Sequence, residues 1–173
     1  MAAAAVAAPI TISADEVSNW AAWWERSKKY TLLIADAMPA ADYNFAPFGS
    51  GTAEAVRSGD GARTFGQLMQ HIGQAEGFYL GRFGKGGAAP APPSGDTTKA
   101  ATITYLNALL DWSVGVVKQL TAADLTNNVP AGSGAAMTGL DALLNAMVHT
   151  AHTRGYSDVY LRNKGVKPPT YQV

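Results

Sequence analysis

Residues 97–120 read TTKAATITYLNALLDWSVGVVKQL, and the spacing of their apolar side chains decides the fold. Leu106, Leu109, Leu110, Ser113, Val116, Val117 and Leu120 recur at steps of three and four, which places them on one side of an α-helix. Asp96 stands just before the stretch and offers an acceptor to the orphan N–H groups of a first helical turn. Outward from this segment, three more long proline-free stretches show the same habit. Ser13 to about Met38 opens on Ser13 with Glu16 three residues on, Thr64 to about Phe83 on Thr64 with Gln67, and Thr138 to about Asn163 on Thr138 with Asp141. Each pair has the form of a capping box or a close relative of one.

The first stretch carries Trp20, Trp23, Trp24, Ser27, Tyr30, Thr31 and Ile34 along one face, and Pro39 ends it. The second carries Phe65, Leu68, Met69, Ile72, Ala75 and Tyr79, and the last Leu140, Leu143, Leu144, Met147 and Ala151, stopped by Gly165. A short helical turn is expected at Thr121 to Leu125. No alternating run of β-branched residues competes. The expectation is an all-α four-helix bundle with long crossover loops. Glycine and proline mark those loops, gathering at Phe45 to Ala62, Gly81 to Gly95 and Pro130 to Gly139.

A chain of 173 residues is the size of one ordinary domain, here residues 13–173 behind a loosely ordered tail at 1–12. The absence of cysteine excludes disulfide scaffolds, thiolate metal sites and a thiol nucleophile of its own. Thirteen basic residues against thirteen acidic ones leave no net field to gather phosphates, so neither nucleic acid nor an anionic membrane is an expected partner. The apolar run Ala2 to Ala8 is too short to span a bilayer and lacks a basic flank. A cytoplasmic location is expected, with the trimmed remnant of an export leader as the alternative.

All three histidines fall in the middle of expected helices: His71 in the second, His149 and His152 in the fourth. His149 and His152 are three apart and therefore neighbours on a helix, so one imidazole from a facing helix would complete a three-nitrogen set for a divalent ion. His71 is the one candidate for that role. The alternative is three ordinary half-buried histidines bonded to carbonyls or water. Trp20, Trp23 and Trp24 read as core rather than as a ligand box. The glycines of Gly81 to Gly95 follow no strand and carry no Lys-Ser or Lys-Thr pair, so they form no phosphate cradle. No catalytic residue is assignable from local motifs.

Several of these residues together resemble a known family. Ala37-Met38-Pro39 followed by Tyr43, Phe45 and Pro47, then Arg63-Thr64-Phe65 leading to Leu68 and His71, then Met147-Val148-His149 with Arg154-Gly155, and last Tyr160-Leu161-Arg162, Gly165 and Pro168-Pro169, are similar to the DinB-like proteins. Those four-helix proteins are related to YfiT-type metal-dependent hydrolases and to thiol-dependent S-transferases. The resemblance implies a divalent metal, zinc or nickel, held by a histidine of the second helix and two of the fourth, four residues apart and followed by Arg-Gly-Gln. His71 and His149 match that pattern. The third position falls on Thr153 and the glutamine position on Tyr156, while His152 stands one residue early, about 100° around the helix from residue 153.

Two readings follow from the resemblance. In one, His71, His149 and His152 hold the metal of a hydrolase or S-transferase whose substrate is a small molecule, with an external low-molecular-weight thiol as nucleophile in the second case. In the other, the metal site is degenerate at Thr153 and the bundle is a non-catalytic binding protein, a homodimer through an apolar helix face. Glu76 is expected to serve in a structural salt bridge rather than as a general base, and Arg154 to pin its helix to an acidic neighbour.

Overall fold

A computed structural model describes residues 11–47, 63–130 and 136–171. Four long helices carry the molecule: α1 Ala14–Ala37, α2 Phe65–Leu80, α3 Lys99–Val117 and α4 Gly139–Asn163. The expected all-α bundle is therefore the observed one. A short helix, Ala122–Thr126, lies between α3 and α4, followed by an antiparallel ladder of β1 Asn128–Val129 with β2 Met137–Thr138. The ladder was not anticipated, because two residues per strand are too few to show a period of two. Most of the expected tail at 1–12, most of the glycine-rich loop ending at Ala62 and part of the loop from Pro130 lie outside the described residues.

The helix starts have local causes. The Ser13 hydroxyl accepts the Glu16 N–H at 3.2 Å while Glu16 Oε2 accepts the Ser13 N–H at 2.6 Å. Thr64 with Gln67, Thr121 with Asp124 and Thr138 with Asp141 close the same reciprocal pairs. At α3 the cap is Thr98 rather than Asp96, whose carboxylate instead accepts the Thr98 N–H at 2.9 Å. Asp96 thus fixes the residue that caps. The ends are equally local: Met38 turns to φ −72°, ψ 128° ahead of Pro39, and Gly165 takes φ 72° after α4.

Cross-helix contacts fix the directions. Lys99, Asp111 and Lys118 of α3 pair with Asp36, Lys28 and Glu25 of α1, so these helices are antiparallel. Along α2 and α4, Phe65 meets Tyr160, Met69 meets Ser157 and His71 meets His149, again antiparallel. By length and composition α3 is apolar enough to cross a membrane, yet half of that window is buried, and Leu106, Leu109, Leu110, Val116 and Val117 fill the interior.

Two apolar clusters stack along the bundle. One gathers Tyr30, Ile34, Met38, Tyr43, Phe65, Leu68, Met69, Ile72, Leu106 and Leu161; the other gathers Trp24, Leu80, Val114, Val117, Leu125 and Leu143. Between them each of the four long helices contributes buried polar side chains: Ser27 and Thr31 from α1, Glu76 from α2, Ser113 from α3, and Thr150, Thr153 and Arg154 from α4. This belt overturns part of the stripe expected for α4. Leu140, Leu144 and Met147 are only half-buried and Ala151 is exposed, while the small side chains Ala142, Ala146, Thr150, Thr153 and Ser157 face inward. Small residues let α4 approach α2 closely, and their weak hydropathy hides the inward face from a reading based on apolar periodicity.

Candidate functional site

The middle of α2 and the middle of α4 bring two of the three histidines together across 78 residues of chain. His71 Nε2 and His149 Nε2 stand 3.1 Å apart, with ring centroids separated by 4.8 Å and planes inclined at 73°. Both rings are half-buried at the border of the polar belt. At this separation one ring nitrogen can donate and the other accept, and the tautomers decide which. His152 is not gathered with them; it is exposed, and its ring packs edge-on against Tyr156 with centroids 4.8 Å apart. Thr153 is fully buried one turn beyond His149, and its hydroxyl has no hydrogen-bond partner among the described residues.

The donor chemistry suits the ion that the resemblance implies at two positions. Two imidazole nitrogens each about 2.0–2.1 Å from one ion stand roughly 3.0–3.4 Å apart, depending on coordination geometry. The 3.1 Å between the two Nε2 atoms falls inside that span. Among the described residues, no group of three or more histidine, aspartate or glutamate side chains is placed to hold a metal.

Glu76 lies one to two turns along α2 from His71 and is 1% exposed. Its two oxygens accept separate hydrogen bonds, from Thr150 Oγ1 at 3.0 Å and from the Trp24 indole at 3.2 Å. Burial pushes the carboxyl above the usual range, and the opposing pulls of Ser113, Thr150, Trp24 and the more distant Arg154 charge do not restore it. Although Ser113 faces the carboxyl, its hydroxyl closes no hydrogen bond of good geometry. The expected structural salt bridge is thus replaced by a buried carboxyl held by neutral donors. Tyr105, facing the same group, is pushed up to about 12 by burial and by the Glu76 charge.

Arg154 also departs from expectation. Its Nη1 donates to Ser27 O at 3.0 Å, Ser27 Oγ at 2.9 Å and Thr31 Oγ1 at 3.2 Å, and its guanidinium carbon lies 5.3 Å from the centre of the Tyr30 ring. The partner that pins α4 is therefore α1, through hydroxyls, a carbonyl and an aromatic face rather than an acid. Thr150, Ser27 and Thr31 were not read as participants. The available signal was the presence of hydroxyls at core positions of an otherwise apolar stripe, which announces a buried polar partner.

The tryptophans divide. Trp24 is core, at 3% exposed, but Trp20 and Trp23 are only half-buried and line a cavity of about 490 Å³ between the first turns of α1 and α4. None of the histidines lines it.

Comparison with known proteins agrees with this architecture. Two solved structures share the fold. One is a DinB-like protein from Bacillus subtilis, with 20% identity, TM-score 0.67, and 89% of this chain and 98% of that chain covered. The other is a DinB-like protein from Bacillus cereus ATCC 10987, with 18% identity, TM-score 0.69, and coverage of 90% and 97%. No curated protein sequence matches the chain. The family model of the DinB superfamily matches residues 24–157, from the buried tryptophan of α1 through both histidines to the polar end of the belt, and the chain belongs to that superfamily.

Proposed function

We propose that the protein is a metal-dependent enzyme of the hydrolase or thiol-transferase type, in which His71 and His149 supply two imidazole ligands to a zinc or nickel ion. The observation that carries this reading is the 3.1 Å approach of two Nε2 atoms from different helices, a span that one ion can bridge. When bound, such an ion polarises a water or a carbonyl, or holds an external low-molecular-weight thiol in its anionic form. The chain has no cysteine, so a thiol nucleophile must come with the substrates. Its own contribution is placement. Thr150 follows His149 directly and is tied to Glu76, Arg154 ties the same helix to α1, and together they hold the α4 imidazole against α2. A cytoplasmic setting, where small thiols are kept reduced, suits the transferase branch.

Metal titration by calorimetry of tag-free protein tests the proposal. Zinc or nickel should bind to one site, and His71→Ala and His149→Ala should each abolish it. His152→Ala decides whether that ring leaves Tyr156 to serve as a third ligand: loss comparable to that in His71→Ala includes it, and unchanged affinity excludes it. Thr153→His should tighten binding on the order of tenfold or more by supplying an imidazole at that position. Wild-type protein that takes up neither metal overturns the proposal.

One observation favours a second reading. Thr153, at the position where the family's third ligand would stand, is a neutral side chain closed into the interior. This suits a non-catalytic binding protein with a degenerate site. Its outer α4 surface exposes Val148, Tyr156 and Val159 along one side, a face that a second copy could cover. Light scattering should then show a dimer that Tyr156→Glu dissociates; a monomer at high concentration removes this reading.

A further inference from the structure

The cavity between the first turns of α1 and α4 is independent of the histidine pair and has a chemistry of its own. Trp20 and Trp23 form one wall and Leu140 and Met147 another, with the Asn19 amide and the Glu16 carboxylate at the rim. Its volume, about 490 Å³, is that of a small-molecule site rather than a packing defect. Among the described residues, the only charged side chain in the lining is Glu16, and it is negative. Hydrogen bonds from the Ser13 backbone and hydroxyl hold the Glu16 carboxyl below its usual range, so it stays ionised, and both bonds fall on Oε2. An indole face is the best aromatic surface for a cation, and the Trp23 ring already shows this on one side, with the Arg26 guanidinium 5.8 Å from its centre.

We propose that this cavity binds small amphipathic organic cations, a primary or quaternary ammonium attached to an apolar body. The body occupies the Leu140 and Met147 side, the ammonium rests against the indole faces, and Glu16 supplies the counter-charge. Neutral molecules of the same shape gain only the apolar contact, and anions meet the carboxylate.

Three matched probes test this by tryptophan fluorescence titration: 2-phenylethylammonium, 2-phenylethanol and 3-phenylpropionate. The ammonium should give a saturable change and bind at least about fivefold more tightly than the alcohol, with the carboxylate weakest. Trp23→Ala should weaken ammonium binding about tenfold, with Trp20 still present as a reporter. Glu16→Gln should weaken it about threefold and remove part of the preference over the alcohol. Glutamine at this position preserves the capping box, so this variant keeps the start of α1 intact. Equal binding of ammonium and alcohol overturns the cationic assignment. Binding unchanged in Trp23→Ala overturns the location, and no saturable change in protein shown to be folded by circular dichroism overturns the site.

Discussion

A carboxyl group as deeply enclosed as that of Glu76 is pulled two ways. Loss of water favours the protonated form, while donors aimed at its oxygens favour the anion, and here burial wins. A folded-state pKa above the unfolded value means that the native protein holds the proton more tightly than the unfolded chain. The group's contribution to stability is therefore fully present below the ordinary carboxyl range and is lost as pH rises through the raised folded value. Glu76→Gln removes that titration. Its amide oxygen can accept from Trp24, which only donates, while its NH₂ faces Thr150, whose hydroxyl can accept instead. Chemical denaturation across pH should find Glu76→Gln within about 1 kcal/mol of the wild type in acid and gaining on it steadily as pH rises. A constant difference across pH would mean that the carboxyl binds protons equally in the folded and unfolded states, so that burial has not raised it. Glu76→Ala should cost about 2–4 kcal/mol in acid, because it leaves the Trp24 and Thr150 donors unpaired around a void, and that cost should shrink as pH rises because alanine does not titrate either.

At the scale of the helix, the first residue of α4 shows where local reading stops. Gly139 ends the glycine-rich stretch and also follows the expected cap Thr138, so the sequence places it at the boundary of loop and helix without saying why it is glycine. In the fold it is the first residue of α4, and a Cβ there would lie 1.9 Å from the carbonyl oxygen of Asp124. The short helix Ala122–Thr126 presses its backbone onto the start of α4, a contact that no spacing rule carries. Gly139→Ala should therefore destabilise by about 2–3 kcal/mol. Gly155, exposed in the middle of the same helix with nothing within 4 Å of its would-be Cβ, should gain about 0.5–1 kcal/mol from alanine. Thermal unfolding of the two variants checks the contrast, and similar effects in both would deny the crowding at Gly139. Helix starts were legible because the capping pairs Ser13 with Glu16, Thr64 with Gln67 and Thr138 with Asp141 lie within one turn of chain. The inward face of α4 was not, because Ala146, Thr150 and Thr153 owe their burial to a partner helix rather than to their own hydropathy.

Across the whole molecule, two apolar clusters enclose a polar belt. Buried hydroxyls, a carboxyl and a guanidinium are costly in a core, and this belt spans all four helices at the level where His71 and His149 meet. That meeting was anticipated from the residues, His71 being the one histidine outside α4, but spacing alone also joined His152 to the pair, and the resemblance singled out His149 as the partner of His71. An ion held by the two rings would tie α2 to α4 in the folded state alone, because the unfolded chain does not hold them together. Binding that selects the native state raises stability by about 2.7 kcal/mol when free ligand is 100 times its dissociation constant. For a domain of this size, that corresponds to a rise of about 5–10 °C in Tm. Differential scanning calorimetry with zinc or nickel in that excess should show this rise in the wild type and in Trp23→Ala, and none in His71→Ala. A rise that persists in His71→Ala would place the ion elsewhere on the molecule and detach the seam between α2 and α4 from metal binding.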